Sequence, residues 1–148
     1  MKNTLCLLVC LLGLSACTKN IPPINSAMVM YDYTRSPPST VTEGGQVLPS
    51  RTLPVDQLQT LNKWFRFHRS DWGILSGPLP RSSIEVALVH EDGSQSDLSI
   101  ILHWYGGEPA RLLILRLKDR DGKSKDIATR TLTDDDISSL GRLLTTKQ

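Results

Sequence analysis

The sequence predicts an α+β fold: a four-stranded antiparallel meander with one helix before it and one after, optionally extended by an N-terminal strand. Three observations predict it. Asp92-Gly93 and Asp121-Gly122 each sit between β-prone apolar runs, and Asp-Gly is the strongest short hairpin signal, because glycine takes a positive φ without penalty. Leu58, Leu61, Trp64, Phe65 and His68 recur at helical spacing ahead of the first run. Thr133-Asp134-Asp135-Asp136 then reads as a helix start, with Thr133 as N-cap and Asp136 where a capping box wants an acid.

The chain has 148 residues and a mass of 16.4 kDa, room for one domain. Its 39% hydrophobic and 22% charged residues exclude a disordered chain and a polytopic membrane protein. Seventeen basic residues stand against 15 acidic ones, a net charge of +2. That balance excludes a polybasic nucleic-acid binder, so no nucleic-acid partner is expected.

Residues 27–33, Ala-Met-Val-Met-Tyr-Asp-Tyr, are β-prone and suit a first strand. Arg35 to Ser50 carries three prolines and two glycines and reads as a loop, with room for a short edge strand at 46–48. Pro54 suits the first turn of a helix that runs to His68. Pro78 and Pro80 prevent regular structure before Ser82. Four strands follow, at 84–90, 98–105, 111–118 and 125–132, and the last helix carries Ile137, Leu140 and Leu144 on one stripe.

Register follows from the need to bury one face. A three-residue loop with Gly93 in the left-handed region pairs Val86 with Leu98 and Ile84 with Ile100. The same logic at Gly122 pairs Leu115 with Ile127 and Arg116 with Asp126. The expected core face is then Ile84, Val86, Leu88, Leu98, Ile100, Leu102, Trp104, Leu113, Leu115, Leu117 and Ile127. The other face mixes Glu85, Ser99, His103, Arg116, Asp126 and Arg130 with Ala87, Ile101, Leu112 and Ile114.

The first residues carry the most specific signal. Lys2 precedes an apolar run from Leu5 to Leu14, about half the roughly 20 residues that a spanning helix needs. The run ends in Leu14-Ser15-Ala16-Cys17, as a cleaved signal does. These four residues resemble the lipobox of bacterial lipoproteins. The resemblance implies a diacylglyceryl thioether on Cys17 and cleavage after Ala16; an ordinary signal peptide would be cut there and leave a free thiol. It divides the chain into a signal peptide at 1–16, a lipidated cysteine and tether at 17–26, and one globular domain at 27–148. Thr18 in place of aspartate resembles the outer-membrane default of enteric-type bacteria, with the domain facing the periplasm. The mature chain would keep no cysteine for a disulfide or a metal.

No motif points to catalysis. His68, His90 and His103 lack metal spacing, no serine sits in a nucleophile elbow, and no glycine-rich loop precedes a helix. No enzyme activity, cofactor or metal site is therefore expected. The Asp134–Asp136 run is a solvated helix start. The expected function is a membrane-anchored envelope lipoprotein, acting as a non-catalytic protein-binding or accessory module. A periplasmic inhibitor or immunity protein is the alternative. The candidate interaction surfaces are the helix end around Arg69 and Trp72, and the half-apolar sheet face around Ile101, His103, Leu112 and Ile114.

Overall fold

The computed structural model describes residues 18–32, 50–75, 77, 82–102 and 111–145. The elements are β1 (Ile24–Asp32), β2 (Arg51–Thr52), α1 (Val55–Phe67), β3 (Gly73–Ile74), β4 (Ile84–His90), β5 (Gln95–Ile101), β6 (Leu112–Lys118), β7 (Ser124–Thr131) and α2 (Asp134–Thr145). The strands form one antiparallel sheet of seven, in the order β2-β1-β4-β5-β6-β7-β3. This corrects the expected four-stranded meander. β1 starts at Ile24 and inserts between β2 and β4, and two-residue strands close both edges. A two-residue strand has no alternation to read, so β2 and β3 leave no period-two signal. The expected edge strand at 46–48, the end of the strand expected at 98–105 with Trp104 of the expected core face, and the loop expected at 106–109 lie outside the described residues.

The hairpins form where glycine permits them. Gly93 and Gly122 have φ of 82° and 78°. Around Gly93 the backbone bonds join His90 and Ser94, and Val86 faces Leu98. Past Gly122 the register departs from expectation. Lys118 pairs with Ser124 but Leu117 pairs with Asp126, so Lys125 is an extra residue on β7. Such a bulge turns every later side chain to the other face. Leu115 therefore faces Ala128, not Ile127, and Arg116 faces Ile127. Ala128 is buried in the core and Ile127 half-buried on the opposite face. Asp126 and Arg130 likewise move to the face expected for the core, opposite Leu117 and Leu113.

Both helices pack on the face formed by Ala27, Val29, Val86, Leu88, Leu98, Ile100, Leu113 and Leu115. α1 contributes Leu61, Trp64 and Phe65, and α2 contributes Leu140, Leu143 and Leu144. Asn62 ties α1 to the sheet at two points. Its Oδ1 accepts from the Ile24 N–H at 2.7 Å, and its Nδ2 donates to the Ile24 carbonyl at 2.8 Å. The side-chain amide thus replaces a missing strand partner at the start of β1.

Residues 18–23, expected to hang as a tether, lie against the domain. The Lys19 N–H donates to the Arg69 carbonyl at 2.9 Å, and Ile21 packs on the core. The Glu91 N–H donates to the Pro23 carbonyl at 2.9 Å. His90 completes the seam. Its buried ring meets the Pro22 carbonyl through Nδ1 at 2.9 Å and the Ser96 hydroxyl through Nε2 at 2.8 Å. A proton on Nδ1 satisfies both, since the other nitrogen then accepts.

Core position separates two truncations. Leu115 is fully buried, so Leu115→Ala is expected to cost on the order of 2–5 kcal/mol in chemical denaturation. Ser99, half-buried on the other face, should tolerate alanine with little change. A small loss for Leu115→Ala together with a large one for Ser99→Ala would contradict this assignment of faces.

Candidate functional site

Two places gather polar side chains: the junction of the helices, and the sheet face that neither helix covers.

The junction is built on Asp136. Thr133 caps α2, with its N–H donating to Asp136 Oδ2 at 3.0 Å and the Asp136 N–H returning a bond to Thr133 Oγ1 at 3.2 Å. The other carboxylate oxygen reaches the end of α1. Trp64 Nε1 donates to Oδ1 at 3.3 Å, and His68 Nε2 lies 3.1 Å from it. His68 Nδ1 is 2.7 Å from the Trp64 carbonyl, and the His68 ring stacks on the Trp64 indole at 4.1 Å between centroids. Both ring nitrogens thus face acceptors within the junction. Burial opposes the charge of Asp136, but the two Thr133 bonds and the charges of His68 and Arg130 outweigh it and hold the carboxyl below its ordinary value.

Trp72 closes the same corner. Its indole donates to the His68 carbonyl at 2.7 Å and stacks with Phe65 at 6.4 Å, leaving it 3% exposed. Asp71 holds a left-handed φ of 65° to make the turn. The bulge delivers Arg130 here, where Nη1 donates to the Ser70 carbonyl at 2.6 Å and lies 3.7 Å from Asp71. Trp72 thus locks the helix end onto the core, which removes it from the candidate contact surface. Arg69 remains exposed.

The opposite sheet face carries a cleft of about 210 Å³. Glu85, Asp97, Ser99, Ile114 and Arg116 line it, with Met30 at the β1 rim. Asp97 lies 2.6 Å from Lys118 Nζ and 3.9 Å from Arg116 Nη1. Glu85 accepts from the Ser82 hydroxyl and has no cation partner among the described residues. Met28 and Val89 are each 39% exposed on the same face. The groups suit recognition of a mixed polar and apolar surface. Ser82 also lines the cleft, its hydroxyl held by Glu85.

The expected surface residues separate. Ile101 and Leu112 pair across β5 and β6, with Ile114 two residues on. Ile101 is fully buried and Ile114 nearly so, while Leu112 is half-buried. Ile101 and Ile114 are therefore removed from the candidate surface, and Leu112 stays half-exposed. Arg69 and Trp72 belong to the α1 end, away from them. Cys17 and His103 lie outside the described residues. Asp97, Arg116 and Glu85 are the groups that the cleft adds. Asp136 was legible only as a helix cap, because its partners come from α1.

Among the described residues no group of three or more His, Cys, Asp or Glu side chains is placed to hold a metal ion, and no helix is long and apolar enough to cross a membrane. Asp134 pairs with Arg111 at 2.5 Å while Asp136 is buried, so the acidic run does not converge. No protein-family model matches the chain, and no curated protein or solved structure matches it either.

The Asp136 junction makes stability acid-sensitive. A carboxyl whose pKa is lower folded than unfolded stabilises the fold fully above the unfolded value of about 3.9, and the contribution drains away as pH falls through the folded value. Asp136→Ala should cost about 1–3 kcal/mol at neutral pH, because it strands the Trp64 N–H and the Thr133 N–H. It should also flatten the acid limb of a pH–stability curve measured by urea unfolding. An unchanged acid limb would show that Asp136 does not govern it.

Proposed function

We propose that this protein is a small bacterial envelope lipoprotein, anchored through Cys17, that acts as a non-catalytic protein-binding or accessory module. The lipobox Leu14-Ser15-Ala16-Cys17 supports the anchor and, with Thr18 after it, an outer-membrane site facing the periplasm. One observation carries the binding role. Both helices lie on one face of the sheet, while the other presents Glu85, Asp97, Arg116 and Lys118 between the half-exposed Met28 and Val89. A rigid sheet face with fixed charges and apolar flanks suits a protein partner. Its charges give register and its Met and Val side chains give contact area.

Two experiments test this. Cys17→Ser should accumulate as uncleaved precursor and leave the lipid-bound fraction; normal processing with unchanged membrane retention would refute the anchor. A photo-crosslinking residue at Val89, in cells, should give discrete adducts that Arg116→Glu abolishes, whereas one at exposed Ser138 on α2 should give none. Equal adducts at both positions, or none at Val89, would remove the open face as the binding surface.

A further inference from the structure

The start of the domain and the end of α1 meet at one corner, and this corner has an unusual surface. Lys19 is held there twice: its N–H donates to the Arg69 carbonyl at 2.9 Å, and its Nζ pairs with Asp126 on β7. Asp126 is two residues from Ala128, which pairs with Ile74 of β3. Phe67 ends α1 two residues before Arg69. Phe67 is 74% exposed and Ile74 87% exposed, both on the side of the sheet that carries the helices. Lys63, Arg66 and Arg69 are exposed along the same stretch, and Lys63 Nζ lies 6.0 Å from the Phe67 ring centroid. Of the nearby acids, Asp126 is matched by Lys19, Asp71 by Arg130, Asp136 by His68 and Asp134 by Arg111, and exposed Asp135 stands at the start of α2. Lys63, Arg66 and Arg69 thus make the exposed side of the α1 end locally basic on a domain close to neutral overall.

We propose that this corner docks on the phospholipid surface, with Phe67 and Ile74 entering the headgroup region and Lys63, Arg66 and Arg69 meeting lipid phosphates. The proposal rests on lipidation of Cys17. Two residue steps separate Cys17 from Lys19, so their Cα atoms lie within about 8 Å of each other. An anchor on Cys17 would thus keep this corner close to the bilayer. Isolated exposed apolar side chains need no explanation. Two of them flanked by three cations, beside the point where the chain enters the membrane, match the composition of an interfacial contact. The anchor makes the contact effectively intramolecular, so weak side-chain insertion suffices to fix the orientation.

The test uses the lipidated protein in vesicles of phosphatidylethanolamine and phosphatidylglycerol. An environment-sensitive fluorophore is attached at Phe67→Cys or, as a control at the other end of α1, at exposed Val55→Cys. Lipidation leaves the mature chain no other free thiol. Brominated lipid should quench the Phe67 label several-fold more strongly than the Val55 label, and Arg66→Glu with Arg69→Glu should reduce that difference. Mass analysis of the N-terminal fragment reports the lipid on Cys17 independently. Equal quenching at both positions on a lipidated chain would overturn the docking and leave the anchor standing. An unmodified Cys17 would overturn both.

Discussion

One buried carboxylate joins the two helices that cover the sheet. Asp136 accepts from the cap of α2 through one oxygen and from the end of α1 through the other. Each bond satisfies a group that would otherwise be buried without a partner. The carboxylate keeps its charge despite burial because Thr133, His68 and Arg130 surround it. Seven strands present a wide apolar face, and two short helices must cover it. Fixing their crossing at one point also fixes where Leu61, Trp64, Leu140 and Leu144 fall on Val86, Leu98 and Leu115.

The legible parts of the fold were those set by local chemistry. Gly93 dictates the first hairpin, and Thr133 with Asp136 dictates the start of α2. The seven-stranded sheet was not legible, because β2 and β3 are two residues long and hold their places by pairing alone. The bulge at Lys125 was equally silent. Ile127 and Ala128 are both apolar, so alternation fits either register, and the choice is made by packing across β6 and β7. That one residue decides where Arg130 goes. It therefore separates an expected surface arginine from one that bonds the Ser70 carbonyl beneath Trp72.

The candidate sites show the same division. Composition around Trp64–Trp72 fits either a core lock or a contact surface, and Trp72, Phe65 and Trp64 all turn inward. The cleft groups come from three strands and meet only through the register of β4, β5 and β6. Glu85, Asp97 and Arg116 are ordinary surface residues in a linear reading. Cys17 stands apart: its signal is a contiguous motif and needs no tertiary context.

The insertion of β1 beside β4 also orders the folding of the chain. β4 joins β5 and β6 joins β7 through short turns, so these pairings close small loops at small entropic cost. β1 cannot pair with β4 until the segment from Asp32 to Ile84, including the whole of α1, has been made and looped out. Such a non-local contact is slow to form. β1 is synthesised well before its partner β4. Until the two pair, Ile24, Ala27 and Val29 have no sheet to cover them, and the seam through His90, Pro22 and Ser96 cannot close. The edge of β4 that β1 will occupy stays unpaired for the same interval, so the unfinished sheet carries an open strand edge.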